Sequence, residues 1–448
     1  MCRYRYPIAV AAILLLAIVA RCATAVWWQE RLEQQGKHFA FGDSESYWRL
    51  AIAIAEDQPY AYGGENGRIF RVPLYPLMIA PFIDSNDPYR HVLSVRLLGS
   101  LLGTLAVGGI IVLGRDIFGK PASLCAGLLA ALYPGGVSMS ILVLSEAPFC
   151  PLMVVNLLLW RNAMRSERLR KTSVLSVLAG GVAGLAVLAR PSWLLFAPFA
   201  GFLQWIVLRD RRTVVMGASM LVGFVVVMTP WWLRNYQITG HFVLTTLQVG
   251  GSMYDGLHPG ATGASDTGMG FTSEFALAQQ EADAAVVAST GVLDSTFEYR
   301  LNARMAKAAK EWVFANPIEF VRLAFIKIGR TWRPWPVAEE TSGRLVTLAA
   351  PIGFFAVMLP ALIGLWRQRA RGWEIFLLWA PAIYFTLLHA VFIGSMRYRL
   401  PAVLVLSILA GATWCDWLKR WIDWTSFVGG VDSDEATSDS CGMDGAAS

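Results

Sequence analysis

Mostly apolar runs about twenty residues long, the length needed to cross the hydrocarbon core of a bilayer, recur along this chain. Ten are read near 7–27, 92–113, 121–138, 141–160, 172–190, 193–208, 213–231, 345–366, 373–393 and 399–418. The third and fourth are joined by almost nothing, so a tight hairpin is expected there. Two long stretches interrupt the series. Residues 28–91 contain FGDSESYWRLAIAIAEDQPYAY, starting at Phe41, in which Tyr47, Leu50, Ala51 and Ile54 share one helical face. That spacing predicts a short amphipathic helix lying on the membrane or against other helices. Asp43 or Ser44 is its expected N-cap, and Asp57-Gln58-Pro59 its end. A second apolar segment, IFRVPLYPLMIAPFI, follows in the same stretch. Residues 232–344 open with the Gly-rich GGSMYDGLHPGATGASDTGMG, which reads as a mobile loop. Helical patterns follow near 273–290, 294–315 and 317–330, enough for a small helical region. The expectation is an all-α polytopic membrane protein with one transmembrane domain over 1–418. The acidic tail 429–448, rich in Ser, Gly and Asp, is expected to be disordered.

Composition agrees. Of 448 residues, 55% are hydrophobic and 16% charged, against about a quarter charged in a soluble domain. The net charge of +6 does not point to nucleic acid, because the basic residues sit in short links between apolar runs. With Arg3 and Arg5 in the cytoplasm, the links on that side hold Arg115 and Lys120, the group from Arg161 to Lys171, Arg209 to Arg212, Arg367 to Arg371, and Lys419 with Arg420. The short links on the other side carry only Arg190, Arg397 and Arg399. This bias, with an even number of spans, puts both termini in the cytoplasm and residues 28–91 and 232–344 outside. The basic start and Ala-x-Ala-like end of the first run also fit a cleaved signal peptide. Arg21 weakens that run as a span, yet keeping it suits the even count. The six cysteines are scattered and predict no disulfide framework. The five histidines show no metal-ligand spacing.

Chemistry gathers at one membrane level. Asp43 is a helix cap or a proton acceptor. Arg71, in the proline-flanked RVPLYPLMIAPF, is a snorkelling arginine or an anion ligand. Glu146, in LSEAPF, is a functional group at the mouth of a span, a carboxylate at the water line, or one paired with an arginine. Arg190 in LARPS, and Arg397 with Arg399 in MRYRLPA, break the charge pattern on that same side. Arginines and carboxylates collected at one leaflet suit an anionic lipid headgroup, with a carboxylate for proton transfer. Tyr47 and Tyr75, beside these groups, are expected to line the substrate.

The order GDSESYWRLA, RVPLYPLMIAPF, SEAPF, LARPSWLLFAPF, PWWLRNYQITGHFVL and MRYRLPA resembles the type-C membrane glycosyltransferases. More narrowly, it resembles the bacterial branch related to protein O-mannosyltransferases and lipid A aminoarabinose transferases. The resemblance covers roughly residues 7–418. It implies an enzyme of the inner (plasma) membrane that moves a sugar from a polyprenyl-phosphate donor to an acceptor on the outer face. The acceptor, whether lipid, glycan or protein, is left open. The resemblance makes Asp43 the catalytic base and Glu146 the second important acid. Arg71, Arg190, Arg397 and Arg399 become holders of the donor phosphate. This chain departs in having a single Asp43 where the family pairs acids, with Glu45 its only near neighbour, and in having fewer spans than the larger relatives. No cofactor motif is evident, and a divalent-metal requirement is not readable. The rival readings are a membrane transporter or lipid flippase, and a non-catalytic assembly protein. A transporter usually places polar groups near the midplane and shows internal repeats; here the charges sit at one edge and no repeat is found.

Overall fold

A computed structural model describes residues 5–64, 67–266, 270–336 and 344–438, with the side chains of 344–346 and 422–438 excluded. The helices in chain order are α1 (Arg5–Glu33), α2 (Gly42–Ala55), α3 (Leu74–Ile79), α4 (Val92–Phe118), α5 (Lys120–Leu132), α6 (Pro134–Ile141), α7 (Glu146–Arg165), α8 (Leu169–Ala189), α9 (Phe196–Leu208), α10 (Arg211–Thr239), α11 (Val249–Gly256), α12 (Phe271–Thr290), α13 (Phe297–Ala315), α14 (Pro317–Trp332), α15 (Arg344–Gln368), α16 (Trp373–Val391) and α17 (Leu400–Ser438). Among the described residues there are eight helices long and apolar enough to cross a membrane, or nine if one bent pair counts as a span. Helix α7, 20 residues long, occupies the remaining expected position but lies outside that set. The chain is an all-helical, multi-pass membrane protein. Helices α2–α3 and α11–α14 gather at one end of the bundle, called here the loop-rich end.

The bent pair corrects the expected straight span over 121–138. Helix α5 stops at Leu132, and α6 continues at 53° to it. Pro134 is the cause. The residue before a proline is driven out of the helical region, and Tyr133 is extended at φ −60°, ψ 116°. Pro134 also has no N–H for the Ala130 carbonyl. Arg21 of α1 supplies the missing donors: Nη2 reaches Ala130 O at 3.3 Å and Nη1 reaches Ala131 O at 3.0 Å. Its Nε donates to Ser140 Oγ at 3.3 Å. Arg21, expected to weaken the first span, is therefore a buried tie that holds the break closed. It is 1% exposed.

Elsewhere the spans pack through small residues, as membrane helices do where backbones approach closely. A Cβ on Gly180 of α8 would lie 1.8 Å from Met220 O of α10, and one on Gly223 would lie 1.9 Å from Val177 O. The expected mobile loop is also corrected at its start. GGSMYDG forms most of α11, because Gly250 docks on α13: its N–H donates to Asn302 Oδ1 at 2.7 Å, and any Cβ there would meet Asn302 O at 2.0 Å. The glycine serves close contact rather than mobility. Beyond it, Asp255 accepts from Ser265 Oγ at 2.7 Å and from the Asp266 N–H at 2.8 Å. Part of that Gly-rich stretch, 267–269, lies outside the described residues, as do 439–448 of the expected disordered tail; α17 itself extends to Ser438.

Candidate functional site

The site begins with α2. Its buried face of Tyr47, Trp48 and Ala51 packs with Tyr75, Ile79, Val92, Val95 and Val143 in a small core at the loop-rich end. Arg49 and Glu45 pair at 2.7 Å along its outward face. The cap expectation fails: the N-cap is Phe41, with no side-chain cap bond, and Asp43 lies in the first turn. Ser44, the other expected cap, donates instead to Leu142 O at 2.7 Å, tying α2 to the non-helical link before α7. The Asp43 carboxylate is thus free to turn sideways.

It meets two arginines. Arg71 Nη2 lies 2.5 Å from Asp43 Oδ1, and Arg397 Nη2 lies 2.8 Å from Oδ2. Arg397 continues through Nε to Glu146 Oε1 at 2.5 Å, and Arg190 Nη1 reaches the same oxygen at 2.9 Å. The result is one continuous chain of ion pairs, Arg71–Asp43–Arg397–Glu146–Arg190. It draws on α2, the segment before α3, the first turn of α7, the C-terminal end of α8 and the turn before α17. Three guanidiniums face two carboxylates, which leaves one surplus positive charge.

Local sequence explains each placement. Pro191 forces Arg190 into an extended conformation, φ −148° and ψ 110°, so α8 ends and the side chain swings into the cluster. Its Nε donates to Ser192 Oγ at 3.1 Å and its Nη1 to Ser145 Oγ at 3.2 Å. Ser395 caps the turn that carries Arg397 by accepting the Arg397 N–H at 3.3 Å. Just before Glu146, Val143 has φ 53° while buried in the small core. A β-branched residue in the left-handed region is strained, and such strain collects at functional sites.

The two carboxylates differ in access. Glu146 has a wholly buried side chain (0% exposed), whereas Asp43 is 32% exposed. Glu146 Oε2 is buried without a hydrogen-bond partner among the described residues. Burial opposes charge on Asp43, yet Arg71 and Arg397 outweigh it and hold the carboxyl well below the usual carboxylate range. Arg71 answers in kind: burial disfavours its charge, but Asp43 raises it above the ordinary arginine value.

Two expected site residues lie elsewhere. Arg399, on the same turn as Arg397, is buried and donates to the carbonyls of Thr331 (3.3 Å) and Arg333, with its guanidinium 4.2 Å from the Phe354 ring centre. Its short spacing from Arg397 sends it to the opposite side of the turn, where it ties α14 to the bundle. Tyr75 is 1% exposed and packs edge-on to Tyr47 at 5.3 Å, so it is a core residue and not a substrate-lining one. Tyr47, at 4% exposed, belongs to the same small core and is no more open to a substrate, but it touches the site through the Arg71 guanidinium, 5.2 Å from its ring centre.

Sequence reasoning missed several partners. Ser46 and Gln248 accept from Arg71 at 3.1 and 2.8 Å. Gln248 comes from the late region and carries no local signal. Tyr398, between two arginines in MRYRLPA, lies 5.4 Å from the Arg190 guanidinium and 5.7 Å from that of Arg397, and stacks on His389 at 4.1 Å. Among the described residues no group of three His, Cys, Asp or Glu side chains is placed to hold a metal ion.

A sequence profile described as dolichyl-phosphate-mannose-protein mannosyltransferase matches residues 89–233, less than half of the chain. No curated protein sequence matches significantly. Among solved structures, the apo oligosaccharyltransferase of Archaeoglobus fulgidus aligns with TM-score 0.58 at 15% identity, over 95% of this chain and 52% of the other. The archaeal oligosaccharyltransferase AglB from the same organism, in complex with an inhibitory peptide and a dolichol-phosphate, aligns with TM-score 0.56 at 15% identity, over 100% and 53%. ArnT from Cupriavidus metallidurans bound to undecaprenyl phosphate aligns with TM-score 0.39 at 14% identity, over 91% and 77%. The chain therefore shares its fold with the archaeal oligosaccharyltransferase and spans about half of that protein's length.

Proposed function

We propose that this protein is a membrane glycosyltransferase that transfers a sugar from a polyprenyl-phosphate donor to an acceptor, with inversion at the anomeric carbon. The observation that carries the reading is the five-residue ion-pair chain at one end of a membrane bundle. Its surplus positive charge suits one phosphodiester. As the sugar leaves, the phosphate gains negative charge, and fixed guanidiniums in a site poor in water stabilise that charge best. The lipid tail stays in the bilayer, so a site at the end of the spans is where lipid and acceptor meet. The fold's likeness to a protein seen with a dolichol-phosphate supports the donor class, and the partial profile match supports the chemistry.

In this reading Asp43 is the general base, as the accessible carboxylate of the two. Held by Arg71 and Arg397, it is a weak base. Donor phosphate competes for those arginines and leaves Asp43 freer to accept a proton. The acceptor oxygen or nitrogen attacks the anomeric carbon. The carbon–oxygen bond to phosphate breaks, its electron pair departs with polyprenyl phosphate, and the acceptor proton passes to Asp43. Buried Glu146 holds Arg190 and Arg397 in register, and Arg190 adds charge to the phosphate side. The loop-rich end faces outside, because the opposite end carries the Arg161–Lys171 and Arg367–Arg371 clusters. In this reading both termini are cytoplasmic, and the protein works in the plasma membrane.

The test is release of polyprenyl phosphate from a panel of polyprenyl-phosphate sugars, using purified protein in lipid nanodiscs. Release by wild type, lost in Asp43→Asn at unchanged fold, supports the assignment. Release at equal rates by both removes Asp43 as base. Movement of substrate across a vesicle bilayer without release would favour a transporter.

A further inference from the structure

The segment that presents Arg71 to Asp43 is pinned along its whole length. Arg234 Nη2 of α10 donates to Arg68 O at 3.0 Å. The Leu247 N–H donates to Ile69 O at 3.0 Å. The Tyr60 hydroxyl lies 3.2 Å from both Arg71 O and Val72 O. The remaining anchor comes from the late region. Glu298, in the first turn of α13, accepts the Ile69 N–H with both carboxylate oxygens, at 3.0 and 3.3 Å. Ile69 itself is fully buried.

We infer that Glu298 is a positioning residue for Arg71: by gripping the Ile69 N–H it fixes the Arg68–Val72 segment and links α13 to the phosphate-binding arginine. This rests on the reading of Arg71 as a donor-phosphate ligand. The geometry is specific. Ile69 lies two residues before Arg71, and its N–H and C=O are held by separate parts of the late region, Glu298 and Leu247. Gln248, next to Leu247, holds the Arg71 side chain. Movement of α11 or α13 is thereby transmitted to both the backbone and the guanidinium of Arg71. The neighbouring cation on α13, Arg300, is engaged by Asp283 at 2.7 Å and does not compete for Glu298. The charged groups that face Glu298 are Arg234 from α10 and Arg68 from the segment itself.

Burial pushes the Glu298 carboxyl up to about 7, against the pull of its N–H partners and these arginines. The strength of the grip therefore changes near neutrality. The carboxylate makes a charge-assisted bond above pH 7, and the neutral acid makes an ordinary one below it.

The experiment measures binding of a polyprenyl monophosphate to full-length protein in nanodiscs, at pH 6 and pH 8, for wild type, Glu298→Gln, Glu298→Ala and Arg71→Ala. Thermal unfolding is followed for each. Glu298→Ala is expected to weaken binding by about tenfold, the loss of one charge-assisted hydrogen bond. Glu298→Gln keeps one acceptor oxygen and no charge. It should match wild type at pH 6 and bind several-fold more weakly at pH 8. Taking the ratio of wild type to Gln cancels the titration of the phosphate ligand. A ratio that is flat between pH 6 and pH 8, with Glu298→Ala within twofold of wild type while Arg71→Ala has lost binding, overturns the positioning role and leaves the proposed function standing. Binding unaffected in Arg71→Ala as well overturns both.

Discussion

Glu146→Gln and Asp43→Asn remove the same charge from the same ion-pair chain, yet they should fail in opposite ways. Glu146 is wholly buried, with Arg190 at 2.9 Å and Arg397 at 2.5 Å on one oxygen. Both arginines are themselves mostly buried, at 10% and 15% exposed. Neutralising Glu146 leaves one guanidinium with no carboxylate and the other with Asp43 alone. Breaking a buried pair from one side costs about 3–5 kcal/mol, because the partner charge stays behind without compensation. Asp43 is about one-third open to solvent, so water takes over part of what Arg71 and Arg397 lose. Solvent-screened pairs cost about 1 kcal/mol or less, but Arg71 is itself only 14% exposed and is left without a carboxylate, so the loss lies between that figure and the one at Glu146. For activity the order reverses. Removing a general base costs about 10²–10⁴-fold in rate, which falls on Asp43→Asn. The assay is chemical unfolding in a mixed micelle alongside initial rates of polyprenyl phosphate release. Asp43→Asn should lose less stability than Glu146→Gln and be almost inactive; Glu146→Gln should lose the most stability, with its residual folded fraction more active than Asp43→Asn. If both variants lose the same stability, the difference in burial does not govern this cluster, and the reasoning fails.

Three other tests address different parts of the molecule. Burial pushes Lys327 down to about 8 from its ordinary 10.5, while its Nζ donates to Val391 O at 2.8 Å. The unfolded chain then holds more protons there between those values, so the stability of wild type relative to Lys327→Met should rise as pH goes from 8 to 10.5; a flat or falling difference in unfolding midpoints would contradict the shift. Gly180→Val must push α8 from α10, since even a Cβ would sit 1.8 Å from Met220 O; overpacking of this sort costs about 1–3 kcal/mol, and an unchanged melting temperature would show that the interface yields freely. Arg399→Ala should lower stability by about 1–3 kcal/mol, as carbonyls of Thr331 and Arg333 lose their donor, while polyprenyl phosphate affinity stays within about twofold; a tenfold loss of affinity would return Arg399 to the phosphate site.

The spans were legible because apolar length is a coarse, additive signal that one sequence carries in full. Each of the ten runs coincides with a helix or, at Pro134, with a helix pair. The bend itself was written in the sequence as a proline at mid-run, but its depth depended on Arg21, and that contact spans more than a hundred residues. The site was legible in its members more than in its roles. Asp43, Arg71, Glu146, Arg190 and Arg397 converge, because each stands at a helix end on the same side of the bundle. Arg399 and Tyr75 were misplaced for local reasons: Arg399 points to the opposite side of its turn from Arg397, and Tyr75, inside α3, turns into the small core beneath Tyr47. Sequence alone did not say which side faced the ion-pair chain. Gln248 and Glu298 were invisible, since each acts through a contact made across the late region.

Arg21 sets a constraint on how the chain is made. Synthesis runs from the N-terminus, so α1 enters the bilayer while its partners are still untranslated: Ala131 lies 110 residues downstream and Ser140 lies 119. An arginine near the middle of a lone helix costs about 2.5–3.5 kcal/mol on insertion. Helix α5, at 13 residues, reaches only about 20 Å and is too short to cross alone. Helix α1 is apolar enough to cross despite that cost, but α5 is not, and the broken pair gains the donors for its open carbonyls only by arriving beside an arginine that is already in the bilayer.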